Sequence, residues 1–286
     1  MGRIRAVLQL VRADHDVMLA LGVVIGYAVS GGLASPDPQR LLFSAMTAFL
    51  VGAGAFALND YYDLEIDRRN RRTDRPLVRG DISPRTAVAI FIILFSLGLA
   101  CSSAVSLPCF AIALVTGALA VSYDVWVKRL KLLGNFYIAY MMAIPFVFGG
   151  VAASSVPGST LILAAMAYLS GFGREVMKDI MDLPGDMEAG VRSFPACVGE
   201  RASCFISSGA YIAAVALSPI PFLLGPEPYL MNPLYIVPVL VADSLLLFTA
   251  ASLTLEGGRR LRSLRRVSLA AMMLGLVGFL LAGFIR

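Results

Sequence analysis

Residues 47–67 read TAFLVGAGAFALNDYYDLEID. Twelve apolar or small residues run without interruption into an asparagine and four acids. The amphipathic surface helix of a soluble domain interleaves apolar and polar residues around its circumference. Here the two kinds are separated end to end, as in a span that stops at a lipid–water boundary. A second stretch of the same build occurs at 165–186, where AMAYLSGFGREVMK leads into DIMDLPGD from residue 179.

Composition extends that reading to the whole chain. Of the 286 residues, 58% are hydrophobic and 15% charged, and mean hydropathy is +0.78. Soluble domains average about 45–50% apolar and about 25% charged residues. A bilayer core of about 30 Å needs about 20 apolar residues in helix. Nine segments meet that length approximately: 17–34, 41–60, 86–105, 107–125, 134–154, 159–179, 202–223, 233–255 and 267–285. Strict alternation over ten-residue blocks is missing, which argues against a β-barrel. The expected fold is an all-α integral membrane protein, one domain spanning 1–286.

The first apolar run has no cleavage site, so it reads as a retained span. Residues 2–12, GRIRAVLQLVR, form either an amphipathic helix on the membrane surface or a basic flank that sets topology. Basic residues gather on one side: Arg3, Arg5, Arg12, seven arginines between 68 and 85, Lys128, Arg129, Lys131, Lys178, Arg192, Arg201 and the cluster 259–266. By the positive-inside rule that side is cytoplasmic. The N-terminus is then inside, and nine spans leave the C-terminus outside. The net charge of +5 follows from this topology and suits anionic headgroups or a phosphorylated substrate. It is no sign of nucleic acid, because the basic residues sit in short loops against the membrane. With four cysteines, no CxxC pair and one histidine, a zinc or haem site has little support.

The two acidic stretches share a spacing. Asp60, Asp63 and Asp67 recur as Asp179, Asp182 and Asp186, 119 residues later. At the same offset Pro76 and Gly80 meet Pro195 and Gly199, and Gly52 and Gly54 meet Gly171 and Gly173. Seven identities in one frame indicate a duplicated four-helix unit, approximately 17–125 and 134–255, with a ninth helix at 267–285.

On a helix, Asn59, Asp63 and Asp67 fall within about 80° of one another. Glu175, Asp179, Asp182 and Asp186 share a second face, although Pro184 and Gly185 are expected to end the helix before Asp186. Two facing clusters of acids repel unless cations join them. Mg²⁺ takes a few carboxylates and leaves positions for water and phosphate oxygens, so a diphosphate is the natural bridge. One such cluster alone commonly solvates a loop; two with matched spacing do not fit that account. The adjoining RRNRRTDRPLVRG and YDVWVKRLK stretches supply cations for phosphate, and part of the arginine run serves topology. Asp243, inside the eighth segment, reads either as a packing hydrogen-bond group or as the ion site of a secondary transporter.

NDYYDLEID and DIMDLPGD resemble the two aspartate-rich motifs of the UbiA superfamily of intramembrane prenyltransferases, and YDVWVKR resembles its loop after the fourth helix. The resemblance implies a nine-helix bundle around a central cavity, capped on the cytoplasmic side and open to lipid. It implies Mg²⁺-dependent transfer of a prenyl chain from a diphosphate to an acceptor. Asn59, Asp60, Asp63, Asp67, Asp179, Asp182 and Asp186 would hold metal. Lys128, Arg75 and Arg129 would contact the diphosphate, and Tyr123 would stand near the reacting carbon. GREVMKDIMDLPGDMEAGVRSFP resembles the second motif of archaeal digeranylgeranylglyceryl phosphate synthases, which join geranylgeranyl diphosphate to geranylgeranylglyceryl phosphate. Homogentisate and chlorophyll prenyltransferases share its KDxxDxxGD portion, so an aromatic acceptor stays open. Arg174 and Lys178, one turn apart, either hold an acceptor phosphate or offset the neighbouring acids.

Overall fold

A computed structural model describes residues 2–69, 71–125, 131–188, 192–225 and 228–284. Among these, every regular element is helical. In chain order they are α1 (Arg3–Leu10), α2 (Ala13–Val29), α3 (Pro38–Arg69), α4 (Pro76–Arg79), α5 (Pro84–Val105), α6 (Leu107–Val125), α7 (Lys131–Ala152) and α8 (Gly158–Glu188). There follow α9 (Phe194–Val198), α10 (Glu200–Leu217), α11 (Pro219–Leu224), α12 (Pro233–Glu256), a 3₁₀ turn (Gly257–Arg260) and α13 (Leu261–Phe284).

Local chemistry sets several of these boundaries. Ser83 caps α5 by accepting a hydrogen bond from the Thr86 amide, and Pro84 opens the helix, where its missing N–H costs nothing. Asn232 and Pro233 start α12 in the same way. The short α4 and α9 carry a proline at their first and second positions, Pro76 and Pro195, and end on a glycine at positive φ, Gly80 at 81° and Gly199 at 89°. One expectation fails: α8 continues past Pro184 and Gly185 to Glu188. Proline at that position forfeits the backbone bond to Ile180. It does so in an exposed last turn, where the ring and Gly185 face open space, so Asp186 remains on the helix.

Among the described residues, seven helices are long and apolar enough to cross a membrane: α3, α5, α6, α7, α10 with α11, α12 and α13. The chain is a multi-pass, all-helical membrane protein. The helices close into a ring in which α3 packs on α5 and α2, α7 on α8, α8 on α10, and α13 on α12 and α2. α2 and α7 cross inside it, with Gly26 against the Phe146 backbone. Apolar packing is split by level. Ile25, Phe146, Tyr235 and Phe279 fill one end, and Met177, Tyr211, Leu246 and Leu264 the end near the acids. α1 buries Ala6 and Leu10 against Ala57, Leu64 and Leu77 while Ile4 and Leu8 stay exposed, so residues 3–10 do form an amphipathic helix.

Candidate active site

Both acidic motifs lie on the last turns of the two longest helices, α3 and α8, of 32 and 31 residues. Asp60 is buried, and Arg12 and Arg75 share one of its oxygens at 2.9 and 3.0 Å. Arg75 also reaches Asp67 at 3.6 Å. Arg12 stands at the head of α2 in a left-handed conformation, φ 51°. Its guanidinium lies 4.6 Å over the Phe56 ring and donates a long bond of 3.4 Å to the Asn59 side chain. Asn59 in turn donates to Asp124 on α6 at 2.6 Å. The first motif is therefore wired to α2, the turn before α4, and α6.

On the second helix, Asp179 is buried and accepts a hydrogen bond from Asn135 of α7 at 2.9 Å. Glu175, also buried, receives Lys178 at 3.1 Å and Arg174 at 3.9 Å. Those two cations therefore offset a neighbouring acid. Asp182 is exposed and Asp186 half-buried. Tyr123, on the last turn of α6, joins the two halves. Its ring stacks on Tyr137 with centroids 4.5 Å apart, and its hydroxyl lies within electrostatic reach of Asp124, Glu175, Asp63 and Asp179. One tyrosine thus lies in the electrostatic field of Asp63 from one motif and Asp179 from the other. Lys128 and Arg129 lie outside the described residues.

Two other arginines of the first turn, Arg72 and Arg79, make structural contacts. Arg79 bonds the carbonyls of Thr73 and Asp74 and the Gln9 side chain. Arg72 grips Asp74 through two hydrogen bonds and holds its carboxyl down at about 2. Between this turn, α1 and the head of α2 is an open pocket of about 450 Å³ that Arg5, Arg12 and Arg75 line. Deeper in the bundle is an apolar cavity of about 50 Å³, bounded by Leu19, Val23, Val51, Gly52, Thr116 and Phe148. Among the described residues, no three acids, histidines or cysteines stand close enough to hold an ion by themselves. The donor set is nevertheless hard oxygen throughout, which fits Mg²⁺ completed by water and phosphate oxygens.

Arg12, Asp124 and Asn135 escape a reading of the sequence as site residues. Arg12 looks like one more topology charge, and Asn135 like a stray amide at the start of an apolar run.

Known proteins resemble this chain in sequence and fold. A digeranylgeranylglyceryl phosphate synthase from Archaeoglobus fulgidus is 44% identical over 283 residues, 98% of this chain and 96% of that protein. A solved structure of digeranylgeranylglyceryl phosphate synthase superposes with a TM-score of 0.87 at 29% identity, covering 100% of both chains. A UbiA homologue from A. fulgidus, solved bound to GPP and Mg²⁺, shares the fold at a TM-score of 0.67 and 18% identity over 96% of this chain and 99% of its own. Residues 19–272 match the UbiA prenyltransferase family, and the chain belongs to that family.

Proposed function

We propose that this protein transfers a geranylgeranyl group from its diphosphate to the free hydroxyl of geranylgeranylglyceryl phosphate, forming the second ether bond of an archaeal lipid. The observation that carries the reading is the convergence of both acidic motifs on Tyr123 at one end of the bundle, above an apolar cavity. The names of the relatives give the acceptor. Asn59, Asp63 and Asp67 with Asp179, Asp182 and Asp186 would hold Mg²⁺. When bound, the ion neutralises the departing diphosphate. We place Asp60 with Arg12 and Arg75, where it supports the cations that face the diphosphate alongside Lys128 and Arg129. Tyr123 stands beside the reacting carbon. The prenyl tail follows the apolar helix faces around this cavity, which keep water from the cationic centre. Arg174 and Lys178 turn from Glu175 to the acceptor phosphate.

The same reading sets nine spans, adding α2 and α8 to the seven, with α1, α4 and α9 as a cytoplasmic cap. Support comes from the matched succession of long helix, short helix with a proline in its first two positions, and positive-φ glycine in α3–α4 and α8–α9. That correspondence is what a duplicated unit would leave, approximately 17–125 and 134–255, followed by 267–285.

The test is product analysis. Purified protein with labelled geranylgeranyl diphosphate, Mg²⁺ and a mixed pool of geranylgeranylglyceryl phosphate and aromatic acids should give the diether by mass spectrometry. Prenylated aromatic acids alone would reject the lipid acceptor.

A further inference from the structure

Asp16 is fully buried on α2, and neither of its carboxylate oxygens has a hydrogen-bond partner. A buried polar group is almost always satisfied, and an exception calls for an account. Its nearest charges are Arg12, one turn away, and Asp14; Arg12 is committed to Asp60 and Asn59.

Position supplies the account. α2 and α3 run antiparallel, and their contacts form a ladder. Arg12 meets Asn59 and Asp60 and covers Phe56. One turn deeper, the Asp16 carboxylate lies against Gly52, in space that a methyl group on that glycine would take. Gly52 and Leu19, the residues closing over it, form part of the wall of the apolar cavity, with Val23 and Val51 beyond. A prenyl diphosphate with its head at Asn59 and its chain directed past this cavity would have its first carbons near the level of Asp16, on the other side of Gly52 and Leu19. Asp16 also stands 119 residues before Asn135, the offset that relates the two motifs, so each half of the chain carries one polar group at the head of this inner helix.

Ether formation needs a base there. As the C–O bond of the donor breaks, its electron pair leaves with the diphosphate. The acceptor oxygen then bonds to the first prenyl carbon and must lose its proton. We propose that the Asp16 carboxylate accepts that proton, acting as the general base of the transfer. Diphosphate oxygens could otherwise serve, but they are engaged with cations at the far side of the breaking bond. The proposal rests on a hydroxyl acceptor, as the preceding section reads it.

The experiment compares wild type with Asp16→Asn and Asp16→Ser, using the hydroxyl acceptor and its thiol analogue, whose proton leaves without a strong base. Loss of a general base costs typically about 10²–10⁴-fold, so kcat with the hydroxyl acceptor should fall by that order. Affinity for a non-reactive donor analogue should hold, and the thiol acceptor should recover to within about tenfold of wild type. Unchanged kcat, or equal losses with hydroxyl and thiol, would overturn the assignment. Failure of both variants to fold would make Asp16 a packing residue and overturn it too. A wild-type protein that alkylates no glycerol-phosphate lipid would instead reject the acceptor, whatever Asp16 does.

Discussion

Arg12 and Arg75 approach the same oxygen of Asp60 from two different elements. Removing that carboxylate leaves two cations facing each other near the end of α3. Breaking a buried pair costs about 3–5 kcal/mol, and the arginines keep some solvent access, at 24% and 19% side-chain exposure. Asp60→Ala should therefore lower stability by about 3 kcal/mol, read by thermal unfolding in detergent, and weaken donor binding. The half-saturating Mg²⁺ concentration should stay put; a rise without loss of stability would make Asp60 a metal ligand. Asp63→Ala and Asp182→Ala should do the reverse, abolishing transfer while the unfolding temperature holds, since Asp182 is exposed and Asp63 half-buried. A third pair tests the acceptor. Losing a charge-assisted hydrogen bond costs about 1.5–3 kcal/mol, so Arg174→Gln or Lys178→Gln should raise the acceptor's KM about 10–100-fold and the donor's far less. Unchanged acceptor KM would leave both residues as partners of Glu175.

The turns after α3 and α8 carry their own constraint, visible in sequence as the P-x3-G of residues 76–80 and 195–199. Gly80 adopts the left-handed helical region, φ 81° and ψ 11°, whereas Gly199 sits at φ 89° and ψ 155°. An L-residue tolerates the first at about 1–2 kcal/mol, but the second is essentially closed to it and costs up to about 3 kcal/mol. No heavy atom stands within 4 Å of a methyl group at either site, so backbone strain alone decides. Gly199→Ala should unfold at lower temperature than Gly80→Ala, and Gly80→Asn should recover most of the loss. Equal losses would show that the turns are not strained as the dihedrals say. What the sequence made legible was of this local kind: spans, motif spacing and turn residues follow from periodicity and backbone chemistry. Contacts across helices did not. The pairing of Asn135 with Asp179, or of Asp124 with Asn59, depends on which helix faces come together, and nothing in a single run of residues records that. The helical continuation through Pro184 is hidden for a related reason, since whether a proline is tolerated depends on how exposed its turn is.

At the scale of the whole bundle, charge and helix length together decide how the chain is threaded. α8, at 31 residues, is about 46 Å long, more than a bilayer core requires; α2, at 17 residues, is about 26 Å, close to the minimum. Both carry charge at the end where the motifs lie, which lowers their mean apolarity without shortening their apolar stretch. If α8 did not cross, α7 would deliver the chain to one side and α10 would have to start from it, parting the basic segments around Arg192 and Arg201 from those around Arg71 and Lys131. Moving each positive cluster to the outer face opposes the bias that orients membrane proteins. With α2 and α8 crossing, every one of these clusters falls on the side of the acidic motifs, and the connections after α2, α5 and α7 fall on the other. Single cysteines at Arg71, Lys131 and Arg201, in a background lacking the native four, should react with an impermeant thiol reagent only from the cytoplasmic side. A cysteine at Gly158, at the start of α8, should react only from outside. Labelling of Arg201→Cys on the same side as Gly158→Cys would mean that α8 does not span; labelling of all four in reversed sense would put the acidic motifs, and the diphosphate they await, on the outer face.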